Sequence, residues 1–336
     1  MKVWELADFG LENLRQAERD VPKPGDNEVL MRVNAVSLNA RDRLLVDGVY
    51  NPDLRFPMVQ GSDAVGQVVK VGKDVTRVQP GDRILTNFAT RWLEGPPQLE
   101  ESRYSLGSAI SGVLAEQIVI DEQIAVKAPA YLTDIEAATL PCAAVTAWYA
   151  VADRAKISSG QTVVVQGTGG VSLFALQIAT ALGAKVIVTS SSDEKIERAK
   201  QMGAAYGINY VRQPEWEEAV LKLTSGKGAD LVVEVAGGEN LGRSLRAAKI
   251  GGHVAMIGFL NGVSAQVPLF PFVVKQLTLG GISVGSRATF EQMLGSFAQW
   301  QLHPVVDSVY SFDETPAAYK HLYRGAFGKI VIRLEP

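Results

Sequence analysis

The sequence predicts an α/β protein with two domains, one rich in β-strands and one built on a doubly wound parallel sheet. Short strand-like runs broken by turn residues fill the first third of the chain, and strands alternate with helical segments from about Tyr131. A glycine cluster joins one of these strands to a helix. The 336 residues also suggest two domains, because a domain is ordinarily about 100 to 200 residues long.

The first domain is predicted from strand-like runs at residues 29–36, 64–71 and 84–88, which turn residues such as those at 80–82 separate. This spacing is typical of a small β-barrel or sandwich. After about residue 288 come an amphipathic stretch, a helical segment at 317–323 and a final strand at 329–334. Their pattern resembles the N-terminal third, so we predict one domain from 1–130 together with 288–336.

The second domain, 131–287, is predicted from apolar strands at 162–165, 185–189, 230–235 and 253–257. Helical segments at 194–202 and 241–248 alternate with them, and Phe174, Ile178 and Leu182 recur four residues apart after the glycine cluster. Strands that alternate with helices indicate a parallel sheet covered on both faces.

Composition excludes several classes of protein. With 47% apolar and 21% charged residues, the chain has enough apolar side chain for large cores, which excludes disorder. The 33 Lys and Arg against 36 Asp and Glu give a net charge of −3 without a long basic block, so nucleic acid is disfavoured as a partner. Cys142 is the only cysteine, so no intramolecular disulfide can form.

The sequence gives no sign of export or of membrane insertion. Acidic residues interrupt the N-terminal MKVWELADFG, where a signal peptide needs an apolar core. The uncharged run at 137–152 is shorter than the roughly twenty apolar residues of a spanning helix, and we interpret it as a buried helix. We therefore expect a cytoplasmic protein that does not bind membranes.

The glycine cluster predicts a dinucleotide site. Gly167, Gly169 and Gly170 lie between a strand and a helix, where glycine lets backbone N–H groups approach a pyrophosphate at the positive end of the helix. We expect contacts from Gly167, Thr168, Gly169, Gly170 and Val171. Ser172 replaces the third glycine of the usual pattern and is small enough for close packing of the helix. The alternative is a generic strand-to-helix turn.

Residues after the next strand favour NADP(H) over NAD(H). An acidic side chain here would bind the ribose 2′-OH of NAD and repel the 2′-phosphate of NADP. The chain instead has three serines, Ser190 to Ser192, followed by Lys195 and Arg198, and hydroxyls and cations suit a phosphate. Ser192 ahead of Asp193 is also a good helix N-cap, and the two readings are compatible.

Four motifs resemble the medium-chain dehydrogenase/reductase family: GSDAVGQVVKVGKDVTRVQPGDRI from Gly61, AATLPCAAVTAWYAV from Ala137, QGTGGVSLFALQIA from Gln166 and GKIVI from Gly328. The similarity extends from about Val21 to the C-terminus. It implies a GroES-like catalytic domain, completed by the C-terminus, around a Rossmann domain. It also implies a homodimer formed through the strand at 277–283, the alternative being a surface strand without a partner.

The resemblance is to the zinc-free branch of the family, which includes quinone oxidoreductases. Zinc-dependent members hold the metal with two cysteines and a histidine, and here Asn39 and Ser62 stand at two of these positions while Cys142 remains. Zinc requires thiolate, imidazole or carboxylate ligands, and Cys142 with Asp63 supplies at most two. We therefore predict no metal site, and we interpret Cys142 as a buried small apolar residue.

The resemblance also implies which residues surround the nucleotide. Asn39 and Thr146 would lie beside the nicotinamide, and Lys329 near the phosphates. A further set would line the ribose and the nicotinamide, with core packing as the alternative for its apolar members: Ser190, Lys195, Tyr210, Gly258, Phe259, Leu260, Val284, Gly285 and Ser286.

For catalysis we expect Asn39, Arg41 and Tyr50 to be the candidate hydrogen-bond donors to the substrate oxygen, although water could protonate the product unaided. Asp42 is expected to fix Arg41 or the backbone. The cofactor carries the hydride, so the protein supplies position and charge stabilisation. Without a metal this favours NADPH-dependent reduction of a quinone or an α,β-unsaturated carbonyl. Alternatives are an NAD(P)-dependent alcohol or aldehyde dehydrogenase and an NADPH-binding protein with little catalysis.

Overall fold

The computed structural model describes residues 1–99, 104–267 and 269–334, and their contacts form two compact units. The first unit contains Met1–Val145 and the C-terminal part from Val284, and the second contains Thr146–Ser283. The predicted boundary after residue 130 therefore differs from the unit boundary. The reason is that the helical turns after Tyr131 pack on strands of the first unit, where the Cys142 N–H binds the Asp63 carboxylate.

The first unit is β-rich, as the turn-rich N-terminal third predicts. A three-stranded sheet has the order β2-β1-β4, and a seven-stranded sheet has the order β15-β16-β3-β5-β6-β8 with β7 also paired to β3. The strands are β1 Lys2–Leu6, β2 Leu14–Glu18, β3 Glu28–Leu38, β4 Met58–Val59, β5 Asp63–Val71, β6 Arg83–Thr86, β7 Gln117–Asp121, β8 Ala125–Lys127, β15 Val306–Ser311 and β16 Lys329–Arg333.

The C-terminal strand β16 completes this sheet by pairing antiparallel with β3, with Ile330 opposite Leu38. The first unit contains the short α-helices α1 Ala40–Val46 and α2 Asp134–Ala137. Longer ones lie near the C-terminus, α9 Arg287–Trp300 and α10 Thr315–Arg324. Apolar side chains of β3, α1 and β16 meet in one core, which includes the fully buried Met31, Leu45, Tyr319 and Ile332.

The chain passes between the units through a run of irregular helical turns. Two stretches of wider π-type turns, Leu140–Ala144 and Tyr149–Arg154, flank the α-helical turn α3 Val145–Trp148. The predicted buried helix over residues 137–152 is therefore helical, but it is not one regular α-helix. Pro141, which cannot donate a backbone hydrogen bond, lies in the first of these turns.

The second unit is a six-stranded parallel sheet with the order β11-β10-β9-β12-β13-β14. The order reverses between β9 and β12, which is the switch point of a doubly wound sheet. Strands and helices follow one another as β9 Thr162–Gln166, α4 Gly170–Ala181, β10 Lys185–Ser190, α5 Asp193–Gln201, β11 Tyr206–Asn209, α6 Trp216–Leu223, β12 Ala229–Glu234, α7 Asn240–Ala247, β13 Ala248–Met256, α8 Leu269–Val274 and β14 Thr278–Gly281.

Strands β9, β10 and β12 are buried along nearly all of their length, which explains their continuous apolar sequences. The α/β fold with a β-rich domain and a doubly wound domain is thus confirmed. Among the residues that the structure describes, no helix has both the length and the apolar character needed to cross a bilayer.

Candidate active site

The first group of predicted catalytic residues lies where β3 ends and α1 begins. Asn39 has an extended backbone and is the N-cap residue of α1. The carboxylate of Asp42, in the first helical turn, accepts a hydrogen bond of 2.7 Å from the Asn39 N–H. A negative charge is favourable at this end of a helix because the helix dipole is positive there. Asp42 therefore fixes the backbone of Asn39, as expected.

The guanidinium of Arg41 lies between two aromatic rings. Its central carbon is 4.9 Å from the ring centre of Tyr50 and 5.0 Å from that of Phe88. One of its terminal nitrogens, Nη1, donates to the carbonyl of Leu106 at 3.1 Å and lies 3.5 Å from the Asp42 carboxylate. Asn39 and Arg41 therefore both contact Asp42, and the ring of Tyr50 lies against Arg41. The hydrogen bond from Arg41 to the Leu106 carbonyl holds the chain near Leu106. Tyr50 is 37% exposed.

A buried hydrogen-bonded chain extends from Asn39 in both directions. Lys329 Nζ donates to Asn39 Oδ1 and to the Leu38 carbonyl, both at 2.6 Å. On the other side, Asn39 Nδ2 lies 3.4 Å from Ser62 Oγ, and the Ser62 hydroxyl donates to Asp63 at 2.7 Å. The second Asp63 oxygen accepts from the backbone N–H of Cys142 at 3.0 Å. This set of Asn39, Ser62, Asp63, Cys142 and Lys329 is called the polar cluster below.

Burial shifts the pKa values of three residues of the polar cluster, Asp63, Cys142 and Lys329, and of the neighbouring Asp42. Removal from water raises the pKa of Asp42 from 3.8 to about 6, although Arg41 opposes the rise. Burial also raises the pKa of Asp63, and the Lys329 ammonium opposes that rise. The pKa of Lys329 is lowered by burial and is held up by Asp63. Burial, reinforced by Asp63, raises the pKa of the Cys142 thiol well above its ordinary value.

The polar cluster does not fit a zinc ion. Its only conventional ligand atoms are the Cys142 thiol and the Asp63 carboxylate, while Asn39 and Ser62 offer a neutral amide and hydroxyl. The buried Lys329 ammonium adds a positive charge that would repel a metal cation. Within the described ranges, no three side chains of His, Cys, Asp or Glu form a group that could hold a metal.

The structure places Lys329 beside Asn39, and its predicted contact with the phosphates stays a prediction. Its side chain is 3% exposed, and its ammonium faces the Leu38 carbonyl and the Asn39 amide. The register of the sheet brings Lys329 to Asn39. Ile330 of β16 pairs with Leu38 of β3, so the preceding residue of β16, Lys329, stands opposite the following residue, Asn39. The sequence pattern shows that Lys329 opens a strand, but it does not reveal the partner strand nearly 300 residues earlier.

The glycine turn has the geometry predicted for a pyrophosphate site. It follows β9 and leads into α4, with Gly169 as N-cap, and Gly167 has a positive φ of 70°. A Cβ atom built on Gly167 or Gly169 would meet nothing within 4 Å, so the space above the turn is open. Thr168 is buried, and Gly170 and Val171 form the first turn of α4. The residues therefore fit a phosphate at the helix N-terminus.

Ser172 replaces the third glycine by binding the strand. It is 2% exposed, and its hydroxyl donates to the carbonyl of Gln166 at 2.6 Å. The hydrogen bond joins the first turn of α4 to the end of β9. This substitution therefore preserves the close packing of helix and strand that a glycine provides in the usual pattern.

The predicted ribose residues follow β10 and β11, whose ends are neighbours in the sheet. Ser190 is buried, its hydroxyl accepts from the Ser192 N–H at 3.2 Å, and its carbonyl accepts from the Tyr210 N–H at 3.1 Å. Ser192 caps α5 by accepting from the Lys195 N–H. The capping interpretation is therefore confirmed, while the Lys195 side chain is half-buried and Tyr210 is exposed.

One ion pair beside the ribose residues was not predicted. Asp193, the first residue of α5, accepts from Asn209 at 2.6 Å and pairs with Arg212 at 2.6 Å. Arg212 is 74% exposed in its side chain. The positive charge of Arg212 partly offsets the negative charge of Asp193, which directly follows Ser190 to Ser192. An arginine after the following strand was the available signal in the sequence.

Glu234, at the end of β12, binds two loops: its carboxylate binds the loop that follows β12, and its backbone carbonyl binds the start of the loop that contains Gly258, Phe259 and Leu260. Glu234 is fully buried and accepts from Gln166 at 3.0 Å and from the N–H groups of Ala236 and Gly237. The Glu234 carbonyl accepts from Ile257 and Gly258, whose missing side chain allows close contact with Val235. Gly258 is therefore required by backbone packing. Phe259 is half-buried and Leu260 is 61% exposed.

The remaining predicted residues are buried. Thr146 in the second unit is 1% exposed, and its hydroxyl donates to the Ser283 carbonyl at 3.4 Å. In the first unit Val284 is buried, a Cβ atom on Gly285 would meet Thr289 at 2.7 Å, and Ser286 caps α9. Each of these residues has a packing role, and their predicted contact with the nicotinamide stays a prediction.

Both units match known families. Residues 25–130 match the alcohol dehydrogenase GroES-like domain, and residues 170–299 match the zinc-binding dehydrogenase domain. A crystallised protein of Sinorhizobium meliloti 1021, described as an alcohol dehydrogenase, is 46% identical with a TM-score of 0.94, over 99% of this chain and 98% of that one.

Curated relatives carry names from more than one activity. A zinc-type alcohol dehydrogenase-like protein of Schizosaccharomyces pombe is 39% identical over 97% of this chain and 96% of its own. Quinone oxidoreductase-like protein 2 of Rattus norvegicus is 29% identical over 94% and 87%. Acryloyl-coenzyme A reductase of Metallosphaera sedula is 29% identical over 93% of both chains.

A GroES-like unit combined with a doubly wound dinucleotide-binding unit defines an oxidoreductase that uses a nicotinamide dinucleotide. The chain belongs to the medium-chain dehydrogenase/reductase superfamily. The family description names zinc, whereas the donor atoms of the polar cluster do not suit this metal.

The raised pKa of Asp42 predicts a pH-dependent penalty on stability. A carboxyl whose pKa rises on folding from 3.8 to about 6 contributes stability below about pH 4 that is lost as the pH rises to about 6. We expect Asp42→Asn to remove this dependence while its amide oxygen still accepts from Asn39. As the pH is raised from about 4 to about 8, the difference in free energy of unfolding between Asp42→Asn and the wild type should therefore shift by about 3 kcal/mol in favour of the variant.

Urea denaturation at about pH 4 and about pH 8 measures this difference. Asp42→Ala is the matched control, because it also removes the acceptor of the Asn39 N–H and should lose about 1 to 3 kcal/mol relative to Asp42→Asn at both pH values. A difference between wild type and Asp42→Asn that stays constant with pH would contradict the prediction.

Proposed function

We propose that the protein is a zinc-independent, NADP(H)-dependent oxidoreductase that transfers hydride to a quinone or an α,β-unsaturated carbonyl. The observation that carries the proposal is the polar cluster, in which the Asn39 amide and the Ser62 hydroxyl stand where the family resemblance implies zinc ligands, with the buried Lys329 ammonium beside Asn39. The bound cofactor supplies the hydride. The protein supplies position and stabilisation of charge.

Asn39 and Tyr50 are the donors that we assign to the substrate oxygen. Asn39 is oriented by hydrogen bonds at both ends of its amide, and Tyr50 is partly exposed next to the Arg41 guanidinium. Arg41 holds the Tyr50 ring and the chain near Leu106. Because the Nη1 atom of Arg41 is committed to protein acceptors, we give Arg41 a supporting part.

The strength of such donors sets the substrate class. One positioned donor stabilises a developing oxyanion by on the order of 3 kcal/mol, and a metal acting as a Lewis acid gives several kcal/mol. A conjugated acceptor spreads the negative charge over several atoms and therefore needs less stabilisation. The names of the Rattus norvegicus and Metallosphaera sedula relatives, which refer to a quinone and to an acryloyl thioester, support this class.

An alcohol or aldehyde dehydrogenase is the second candidate. The names of the Schizosaccharomyces pombe and Sinorhizobium meliloti relatives, which have higher identity, favour it. A fold shared with these relatives does not by itself determine the reaction. A nucleotide-binding protein with little catalysis is the remaining candidate.

The test of the reaction is NADPH oxidation with a panel of quinones, enones, aldehydes and simple ketones, and NADP⁺ reduction with alcohols, in metal-free buffer. We expect turnover of quinones or enones at least about tenfold faster than of the simple carbonyls and alcohols, because only a conjugated acceptor spreads the developing charge. Turnover confined to simple alcohols would contradict the proposal. Tight NADPH binding without turnover of any compound would favour the binding protein.

The preference for NADP(H) is supported by Ser190, Lys195 and the Arg212 that pairs with Asp193. We expect Ser190→Asp to raise the Kd of NADPH by about a hundredfold and that of NADH by less than about tenfold, because the new carboxylate repels the 2′-phosphate. Fluorescence titration measures both constants. Ser190→Ala is the control for loss of the hydroxyl alone, and equal effects of Ser190→Asp on both cofactors would argue against this placement.

We also propose that the protein forms a homodimer through β14, which is an edge strand of its sheet. Leu279 on this strand is 37% exposed, and α8 exposes Leu269, Phe270, Val273 and Val274. The Leu277 N–H donates to the Phe272 carbonyl, so helix and strand are joined. An exposed edge next to apolar side chains is a typical site of association.

Sedimentation at micromolar concentration tests the dimer. We expect twice the chain mass for the wild type and the monomer mass for Leu279→Lys, because a buried lysine at a paired edge opposes association. Val309→Lys, at an apolar residue of the other unit that is 47% exposed, should leave the dimer intact. A monomeric wild type would overturn the proposal.

A further inference from the structure

Lys329 is a buried cation for which the proposed reaction has so far given no part. It opens β16, and because Ile330 pairs with Leu38, the lysine stands opposite Asn39 across the sheet. Its side chain is 3% exposed, compared with 7% for Asn39. Two of its N–H groups bind the Leu38 carbonyl and Asn39 Oδ1 at 2.6 Å each.

This contact determines which way the Asn39 amide points. A lysine ammonium has only donors, so it must face the amide oxygen, and the NH₂ group must face the opposite side. There the Ser62 hydroxyl gives its proton to Asp63 and leaves its oxygen to accept from Asn39. Every donor and acceptor from Lys329 to Asp63 is therefore assigned by chemistry alone.

Charge balance explains why the ammonium can remain buried. Lys329 lies among Asp63, Asp42 and Cys142, and the two carboxylates favour the charged form of the amine. The Arg41 guanidinium beside Asp42 completes two cations and two carboxylates. A buried charge is tolerated when it is paired and hydrogen-bonded in this way.

We propose that Lys329 is a positioning residue, whose ammonium fixes the orientation of the Asn39 amide, so that the N–H of its NH₂ group that is not directed at Ser62 donates to the substrate oxygen, and strengthens that group as a donor. The inference rests on the proposed function, in which Asn39 is the donor. Lys329 keeps its proton throughout. Its positive charge, acting through the amide, offsets the negative charge that the substrate oxygen gains when the carbon accepts the hydride.

The competing role is the one that the family resemblance implies, a phosphate ligand. A phosphate ligand contributes to nucleotide affinity, whereas a positioning residue contributes to turnover. The two roles therefore differ in their effect on the Kd of NADPH and on kcat. They also differ in dependence on Asn39, because only a positioning residue loses its effect when that amide is absent.

The experiment is a double-mutant cycle of Lys329→Met and Asn39→Ala, with kcat for the best quinone or enone and the Kd of NADPH measured for each protein. We expect Asn39→Ala to lower kcat by about a hundredfold, as for loss of an oxyanion donor. Lys329→Met should lower kcat by about tenfold or more, with the Kd of NADPH within about twofold of the wild type. In the Asn39→Ala background, Lys329→Met should cause no further loss beyond about twofold.

Lys275→Met is the matched control, because Lys275 also donates to two carbonyl oxygens, in its case the backbone carbonyls of Arg246 and Ala248, but lies in the other unit. It should leave kcat unchanged. If Lys329→Met fails to fold, as judged by circular dichroism, the comparison is made between Asp63→Asn and Asp63→Asn with Lys329→Met, which removes the opposite charges together. The same loss of kcat with unchanged Kd is expected there.

Two results would overturn the inference. One is multiplication of the two losses in the double variant, which would mean that Lys329 acts without Asn39. The other is an increase of about tenfold or more in the Kd of NADPH with kcat retained, which would identify a phosphate ligand. A wild type that reduces neither quinones nor enones rejects the proposed function itself, so the two failures are distinguishable.

Discussion

The packing of the first unit depends on the need to bury one ammonium group, that of Lys329. Lys329 enters the interior at the start of the C-terminal strand, and isolated charge there would cost several kcal/mol. The cost is offset by the Leu38 carbonyl, the Asn39 amide and the nearby Asp63 carboxylate. Because these partners lie in β3, at the N-cap of α1 and in β5, while Lys329 itself lies in β16, a single electrostatic requirement connects the N-terminal and C-terminal parts of this unit.

The same requirement shapes the chemistry that the unit can perform. A cation in the interior can serve a reaction that creates negative charge, and Lys329 is fixed by the Leu38 carbonyl and the Asn39 amide. Hydrogen-bond donors stabilise a developing oxyanion less strongly than a Lewis acid does. This difference is the physical basis of the proposed preference for an acceptor that disperses charge over its own π system.

The sequence predicts those features that have a local cause. The apolar strands of the parallel sheet, the glycine turn and the Ser192 cap follow from runs and spacings, and the structure contains each of them. Asn39, Arg41 and Tyr50 fall within one short segment, so their proximity was also predictable. Short strands such as β4 and β8 were missed, since two or three residues carry too little pattern.

The features that were missed come from long-range pairing. Lys329 meets Asn39 through a register between strands 290 positions apart, and Arg41 meets Leu106 across 65 positions. Ser172 looked only like a small residue, and its bond to the Gln166 carbonyl depends on how the helix packs. No local periodicity encodes such contacts. They appear only when the sheet order is known.

Elemental analysis of fully active protein tests the central claim most directly, because that claim is that turnover depends on the donors of the polar cluster and needs no bound metal. We expect less than about 0.1 zinc per chain, with turnover unchanged after exhaustive chelation. Stoichiometric zinc, together with a loss of turnover on chelation that added zinc restores, would contradict the account.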